Sequence, residues 1–497
     1  MKKIFYFFVL IISSVVPSNA QQGINNNWLM GYASWGGLPF GQTRLDFFNG
    51  TLVISYDSIE MDFNHTHANI SDAQGNMLFY TNGYYIADAT NDTMQNGSGI
   101  NPGAYANTFK DGLLIPQGAL AIKKPGSGSI YYLFHGTADD TPYHTMAFYL
   151  YLTTIDMSLN GGLGAVIQKN QIMISDSLNA GKIAACKHAN GRDWWVMVHR
   201  VNSNKFYKLL VTPNVILGPY SQNIGTVRTP DAGQAKFSPD GTKYAYYFFT
   251  QGLDIFDFNR CTGQLSNVQS DYQLPNVPVN VGCEFSPNSN VLYVSDVNWI
   301  FQYDLLASNV IASRTLVAQW DSFHQPGEPV LGTYFCNQQL APDGKIYVGT
   351  GNGTTYLHTI DNPDVVGMGC NVNQHSVLLP AYYFNTVPNH PNYFLDCDST
   401  LGCLCASTVG EPELNPPQGN IKIFPNPNDG VFTLQFNVQS ISGTLEIYDV
   451  MGKLVYKDYV AAWSQYKKVD VSNMPKGIYF CKIIRKEKSE NVKVVKE

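Results

Sequence analysis

The side chains of this 497-residue sequence best placed to do chemistry are its histidines, its cysteines and a handful of carboxylates. His65 and His67 stand two apart, which puts both on one face of a strand and could hold a metal with Asp62 or Asp72 nearby. A solvated loop gives the same pattern with no metal. His135 and His144 flank Asp139 and Asp140 on an expected loop, and His188 and His199 bracket the pair Trp194-Trp195. Adjacent strand residues face opposite ways, so one indole is expected in the core and the other is a candidate sugar-stacking platform. Asp88, Asn91 and Asp92 carry the oxygen ligands calcium prefers, but without EF-hand spacing, and Asx turns account for them. The nine cysteines (Cys186, Cys261, Cys283, Cys336, Cys370, Cys397, Cys403, Cys405 and Cys481) form no CxxC pair and no His cluster joins them, so no zinc site is expected. No GxSxG, HExxH, P-loop or strand-borne GxGxxG pattern occurs. Neither a metal nor a cofactor is expected.

The elements that position these groups repeat along the chain. Residues 236–249 (KFSPDGTKYAYYFF), 284–297 (EFSPNSNVLYVSDV) and 339–351 (QLAPDGKIYVGTG) each read as strand, Ser/Ala-Pro-Asp/Asn turn, and a second strand rich in Tyr and Val. Proline pre-sets the turn, and Gly, Asn or Ser tolerates its tight corner, so each is a β-hairpin. Fainter copies begin at Ile70, Ile122 and Cys186. A period of about 50 residues built from short strands is the signature of a β-propeller. Six blades are visible this way. Strand-like segments at the N-terminus (NNWLMGYAS, RLDFFNG, TLVISYD) and PNYFLD near Asn392 are expected to share a seventh that closes the ring, with six blades as the alternative.

Aligning the hairpins sets Cys186, Lys236, Glu284 and Gln339 at one level of the innermost strands, which line the central channel. Lys236 and Glu284 are then neighbours. A buried acid beside a base suits proton transfer. It equally makes an ion pair closing a water-filled hole, which is the expected role.

Bulk composition agrees with an all-β chain. Charged residues make up only 14 %, while Tyr (31), Phe (27) and Gly (43) are abundant, a mix that favours strands and tight turns. The net charge of −7 is uneven. Residues 421–497 carry 12 basic and 8 acidic side chains (+4), Lys2 and Lys3 add +2, and residues 21–420 hold the remaining −13. So acidic a body argues against a nucleic-acid partner.

At the N-terminus, Lys2-Lys3, an apolar run over 4–12 and Ser18-Asn19-Ala20 read as a signal peptide over 1–20. An exported chain favours disulfides; Cys397, Cys403 and Cys405 are expected to staple a loop, in a pairing the sequence leaves open, and Cys481 to stay a free thiol. No later apolar run is long enough to span a membrane. The organisation expected is a propeller over 21–406, a Pro-rich linker over 407–420, and a small β-sandwich over 421–497.

That last segment carries Phe424-Pro425-Asn426-Pro427 with Gly430, Ile447-Tyr448-Asp449 with Gly452-Lys453, Val469-Asp470-Val471, Met474-Pro475, and Gly477-Ile478-Tyr479 before terminal lysines Lys493 and Lys496. In order and spacing it resembles the type A sorting domain of type IX secretion cargo in Bacteroidetes. The resemblance implies export by the type IX machinery to the outer surface or the medium, with Pro425, Asn426, Pro427, Gly430, Gly452, Gly477 and Tyr479 as motif residues. Residues 24–396 are similar to uncharacterised WD40/YVTN-like propeller proteins of the same bacteria, on segments such as LFYTNG at Leu78 and VPNHPNYFL at Val387. Three functions stay open. The foremost is a non-catalytic surface protein binding glycan or protein, with Trp194, Trp195, Lys236 and Glu284 as site candidates. The others are a polysaccharide- or peptide-cleaving enzyme with its site in the channel, and a structural envelope component.

Overall fold

The computed structural model describes residues 23–47, 52–139, 146–274, 281–351, 353–384, 386–406, 421–486 and 488–497. The expected signal peptide and linker lie outside the described residues, as do Asp140 and His144.

Hairpin chemistry generates the blades. In the Ser238-Pro239-Asp240-Gly241 turn, Gly241 N–H donates to the Ser238 carbonyl (2.8 Å), and Lys243 N–H donates to Ser238 Oγ (2.9 Å). Gly241 sits at φ +72°, a left-handed corner that a side chain would strain. The next repeat uses Ser286 in the same way, receiving Val291 N–H at 3.0 Å, with Ser289 at the left-handed corner. Adjacent turns are stitched together where Asp240 N–H donates to Ser289 Oγ (3.0 Å).

Seven antiparallel sheets form the ring: blade 1 (residues 27–57), blade 2 (68–98), blade 3 (119–179), blade 4 (184–228), blade 5 (233–271), blade 6 (282–319) and blade 7 (338–383). Blades 2 to 7 have four strands each, and blades 2 and 3 are joined at their outer edges by a parallel bridge, Gln95 to Ala165. Blade 1 has only three. It packs on blade 7 through Trp28, Phe47, Tyr347 and Tyr383 and closes the ring against blade 2.

The expectation for PNYFLD is corrected here. Residues 391–396 form no strand with blade 1. The chain over 386–396 instead descends the central channel, touching nearly every blade. Asn389 Nδ2 donates to the carbonyls of Ala119 in blade 3 (3.0 Å) and Ile183 beside blade 4 (2.9 Å), and its Oδ1 accepts from Gln117 (3.0 Å). Asn389 N–H donates to the His67 carbonyl (3.2 Å), next to blade 2. Lower down, Tyr393 Oη donates to the Ala121 carbonyl (2.9 Å) and Asn392 Nδ2 to the Pro239 carbonyl (2.6 Å). A strand ladder satisfies one edge, whereas the channel axis satisfies several at once.

Below the channel the tail is fastened by two disulfides, Cys261–Cys403 and Cys397–Cys405. The Arg260 guanidinium assists, donating to the Asp396 carbonyl at 2.7 Å. Cys481 is a buried free thiol, and so are Cys186, Cys283 and Cys370.

Beyond residue 421, a three-stranded sheet (Lys422–Phe424, Val431–Gln435, Tyr466–Asp470) packs on a four-stranded one (Leu454–Val460, Gly443–Asp449, Gly477–Arg485, Lys488–Lys496). Leu434, Ile447, Val469, Cys481 and Ile483 form their shared core. This is the expected sandwich.

Asn389→Ala strips partners from buried carbonyls and from Gln117. At about 1–3 kcal/mol for each buried polar group left unmade, the variant is expected to lose about 3 kcal/mol or more. Urea unfolding of the full chain should show the midpoint falling with an unchanged slope.

Candidate functional site

The innermost strand of any blade has one edge with no further strand to pair with, so its amides and carbonyls face the channel. In this ring carboxamide side chains meet them. Gln117 brackets Ala235 in blade 5, its Nε2 donating to the carbonyl (2.9 Å) and its Oε1 accepting from the N–H (2.7 Å). Gln234 Nε2 donates to the Gln338 carbonyl (2.7 Å), while its Oε1 accepts from Cys283 N–H (3.0 Å) and Gln338 N–H (3.1 Å). Blades 5, 6 and 7 are joined this way.

One level lower lie the four residues that hairpin alignment puts together. Cys186, Lys236, Glu284 and Gln339 all line a single cavity of about 70 Å³, with Asn389, His390, Asn392 and Leu395 on its inner wall. Lys236 Nζ lies 3.0 Å from Glu284 Oε2 and 2.5 Å from Gln339 Oε1. Glu284 also accepts from Phe285 N–H (3.0 Å) and Leu340 N–H (3.1 Å). Both side chains are buried. The pair thus clamps blades 5, 6 and 7 at the bottom of the channel, and its partners are protein groups. The cavity has room for only a few water-sized molecules and is far below the roughly 300 Å³ at which small-molecule sites begin. Trp463 of the C-terminal sandwich also lines it.

The indole expectation is also corrected. Trp194 and Trp195 are both buried, at 3 % and 4 % exposure, because they point into the two different gaps that flank blade 4. Trp195 Nε1 donates to the Arg260 carbonyl (2.8 Å), and Trp194 packs edge-on against Tyr393 of the channel segment. Neither offers a face to a sugar.

Five of the described histidines, His67, His135, His199, His358 and His390, are core residues. His135 lies between Asn101 Oδ1 (2.7 Å) and Thr153 Oγ1 (2.8 Å), and His67 packs on Phe63 at 4.2 Å between ring centres. Burial pushes His135, His199 and His390 down to about 3, His358 down to about 4, and His67 well below its usual value. His65 packs against Phe384 at 4.6 Å. Among the described residues one trio, His188, Cys261 and Cys403, brings ligand atoms close enough for a metal, but its two sulfurs form a disulfide. The Asp88 carboxylate accepts from Thr90 N–H (2.8 Å) and Oγ1 (2.6 Å), and Asn91 Oδ1 accepts from Tyr80 Oη (2.9 Å), which is the Asx-turn arrangement.

Sequence reasoning passed over Trp35. It stands in the loop between the first two strands of blade 1, on the face opposite the Pro-Asp-Gly turns, and is 84 % exposed. The loop is pinned on every side. Ala33 N–H donates to Asp62 Oδ1 (2.8 Å), Ser34 N–H to the Ile59 carbonyl (2.9 Å), and Tyr382 N–H to the Pro39 carbonyl (2.8 Å). At the preceding residue, Ser34 Oγ lies 3.2 Å from Ser58 Oγ and 3.3 Å from Glu60 Oε1. Leu38 (70 %) and Phe40 (43 %) extend the patch. A single sequence carries no signal that reports such exposure.

The motif residues of the C-terminal sandwich shape its turns and hold its last strand. Asn426 Nδ2 donates to the Lys493 carbonyl (3.1 Å) and its Oδ1 accepts from Val495 N–H (2.8 Å), while Asn428 N–H donates to the Val495 carbonyl (3.0 Å). The Pro425-Asn426-Pro427 turn therefore clasps the last strand. Gly430, at φ +109°, lies where a Cβ would sit 2.6 Å from Ser472 Cα. Gly452 closes the turn begun by Asp449, at φ +77°. Tyr479 Oη donates to the Pro475 carbonyl (2.7 Å), and Gly477 pairs with Lys496 at the end of the final ladder.

A seven-bladed β-propeller with a filled channel and a C-terminal strand domain is the class these observations define. Residues 422–497 match the family of secretion system C-terminal sorting domains, so the chain is a β-propeller cargo of type IX secretion, sent to the outer surface or the extracellular space. No helix among the described residues is long and apolar enough to cross a membrane. None of the curated protein sequences matches the chain. Solved structures similar to it include the Dos1 propeller (12 % identity, TM-score 0.38, covering 77 % of this chain and 97 % of that one). Another is the Cps50 (Swd1) β-propeller domain of Myceliophteria thermophila (10 %, TM-score 0.36, 66 % and 93 %). A third is the periplasmic gluconolactonase PpgL of Pseudomonas aeruginosa (11 %, TM-score 0.33, 90 % and 99 %). At such identities and scores nothing about activity follows.

Two outcomes are expected. Removing one member of a buried ion pair costs about 3–5 kcal/mol, whereas replacing both with neutral groups costs much less. Lys236→Met should therefore unfold at lower urea than Lys236→Met/Glu284→Gln, and the reverse order would refute the clamp. The second concerns pH. Unfolded imidazoles take up protons near pH 6.5 while the buried ones resist to about 3 or 4, so stability is full above 6.5 and lost as pH falls. Each such histidine adds about 1.4 kcal/mol per pH unit in that window. Asp296, raised to about 7 by burial, acts in the opposite sense between 3.8 and 7, and offsets one of them. Urea midpoints at pH 7.5 and 5.5 should differ steeply, the lower pH being the less stable.

Proposed function

We propose that the chain is an exported, non-catalytic recognition protein whose propeller binds glycan through the Trp35 loop. The observation that carries this reading is an indole 84 % exposed on a loop fixed by hydrogen bonds, with hydroxyl and carboxylate groups clustered at the adjacent residue Ser34. Apolar ring faces stack on an indole, and the flanking Ser34, Ser58 and Glu60 can exchange hydrogen bonds with sugar hydroxyls. The loop is ordered before any ligand arrives, so little conformational entropy is lost on binding. The filled channel supports the same reading, since the acid and base at its floor are enclosed by the chain itself.

The test is an array of bacterial, plant and host glycans probed with the full chain, with product analysis of every spot. Binding without turnover, weakened at least tenfold by Trp35→Ala and unaffected by Glu284→Gln, is the expected result. Released product would overturn the non-catalytic reading. Binding indifferent to Trp35 would remove the platform. A chain that ignores all glycans but retains a surface protein through Trp35 would move the ligand class to protein.

A further inference from the structure

The sandwich does not hang free of the propeller. The turn at 461–466, between its strands Leu454–Val460 and Tyr466–Asp470, enters the mouth of the channel on the face of the Pro-Asp-Gly turns. Ala462 and Trp463 pack there with Ala184, Cys186, Phe237 and Leu395, as part of the propeller core rather than of the sandwich core. Tyr466 joins Trp28, Leu45, Ala341 and Tyr347 between blades 1 and 7. Polar bonds fix the register. Gln465 N–H donates to the Pro342 carbonyl (2.8 Å), Asn26 Nδ2 to Tyr466 Oη (3.0 Å), and Tyr459 Oη to Asp364 Oδ2 (2.6 Å). Trp463 is held at φ +61°, with its N–H donating to the Gln439 carbonyl (2.7 Å). A non-glycine residue in that conformation is costly unless its surroundings repay it, and here the repayment is an indole 9 % exposed over the channel cavity.

We propose that the turn-side mouth of the propeller is a receptor for the Trp463 turn of the chain's own sorting domain, holding the two domains together without help from the covalent connection. The occupant is specified by shape and chemistry at once: one indole over the Lys236–Glu284 cavity, one tyrosine hydroxyl on Asn26, and one backbone bond to Pro342. It follows that the cavity is lidded while the sorting domain is docked, and that the apolar socket opens only when that domain leaves.

The prediction is tested in the full chain carrying a specific protease site within 407–420. No disulfide spans that cut, because the four bonded cysteines all precede it. After complete cleavage, the wild-type halves are expected to co-elute in size exclusion at micromolar concentration. Trp463→Ala and Ala462→Arg are expected to part into two folded halves, at least a tenfold loss of affinity, because neither residue belongs to the sandwich core. Wild-type halves that separate on cutting, or variants that stay together, overturn the proposal. An independent reading needs no variant. The Gln465 amide donates to a propeller carbonyl, so in the uncut chain it must exchange with deuterium as slowly as the propeller strands, and rapid exchange there also overturns the proposal.

Discussion

Every propeller ends on the inside in a ring of strand edges, and how those edges are hydrogen-bonded determines what its channel can do. Water can satisfy them, which leaves a funnel open to a ligand. Here the amides of Gln117, Gln234 and Asn389 take that place, each reaching two or more backbone groups of neighbouring blades. A carboxamide reproduces the donor and acceptor of a peptide group, so it extends the ladder without a strand. Such bonds are worth little individually, but a buried edge left unpaired would cost about 1–3 kcal/mol per group. The segment over 386–396 is therefore a structural necessity, and it fills the space where propeller ligands would otherwise sit.

Filling the channel changes the meaning of the groups around it. Lys236 and Glu284 have the chemistry of an acid–base pair, yet their hydrogen bonds go to Gln339, Phe285 and Leu340, so they tie strands together. The buried histidines are held neutral by desolvation, which makes them poor acids near neutral pH and good packing for Phe63, Phe206 and Phe335. Trp194 and Trp195 belong to the same economy of the interior. Chemistry-bearing residue types do not make a site where the surrounding chain already uses their polar atoms.

The parts of this that were legible in the sequence are those written in local chemistry. Ser-Pro-Asp-Gly turns announce hairpins, their period gives the ring, and aligning them brings Cys186, Lys236, Glu284 and Gln339 to one level, as the cavity lining has them. The sorting motif was readable because Asn426, Gly430 and Tyr479 each answer a fixed backbone demand. What stayed hidden depends on contacts distant in the chain. PNYFLD looks like a strand, but Asn389 and Asn392 find their partners on blades 3, 4 and 5, and only the assembled ring makes the axis the better place. The pairing of Cys261 with Cys403 across 142 residues is equally non-local. Exposure is the hardest property of all to read: Trp35, Trp194 and Trp463 are the same residue type in strand or turn contexts, and their environments differ entirely.

With the interior occupied, recognition is left to the two rims, and these are unlike. One rim carries the hairpin turns, the disulfide-fastened tail and the docked sandwich, whose Trp463 and Tyr466 complete apolar clusters of the propeller itself. The other carries the loops between the second and third strands of blades 2 to 7 together with the loop between the first two strands of blade 1, from which Trp35 projects. Placing the export domain on the first rim keeps it clear of the second, so that a chain still carrying its sorting domain has the Trp35 surface uncovered. An indole that is buried stabilises the fold by burial alone, and nothing further need be asked of it. A large aromatic held in water by a fixed loop gains no such stabilisation, and that asymmetry between Trp463 and Trp35 is the physical reason for assigning the first to assembly within the chain and the second to a partner outside it.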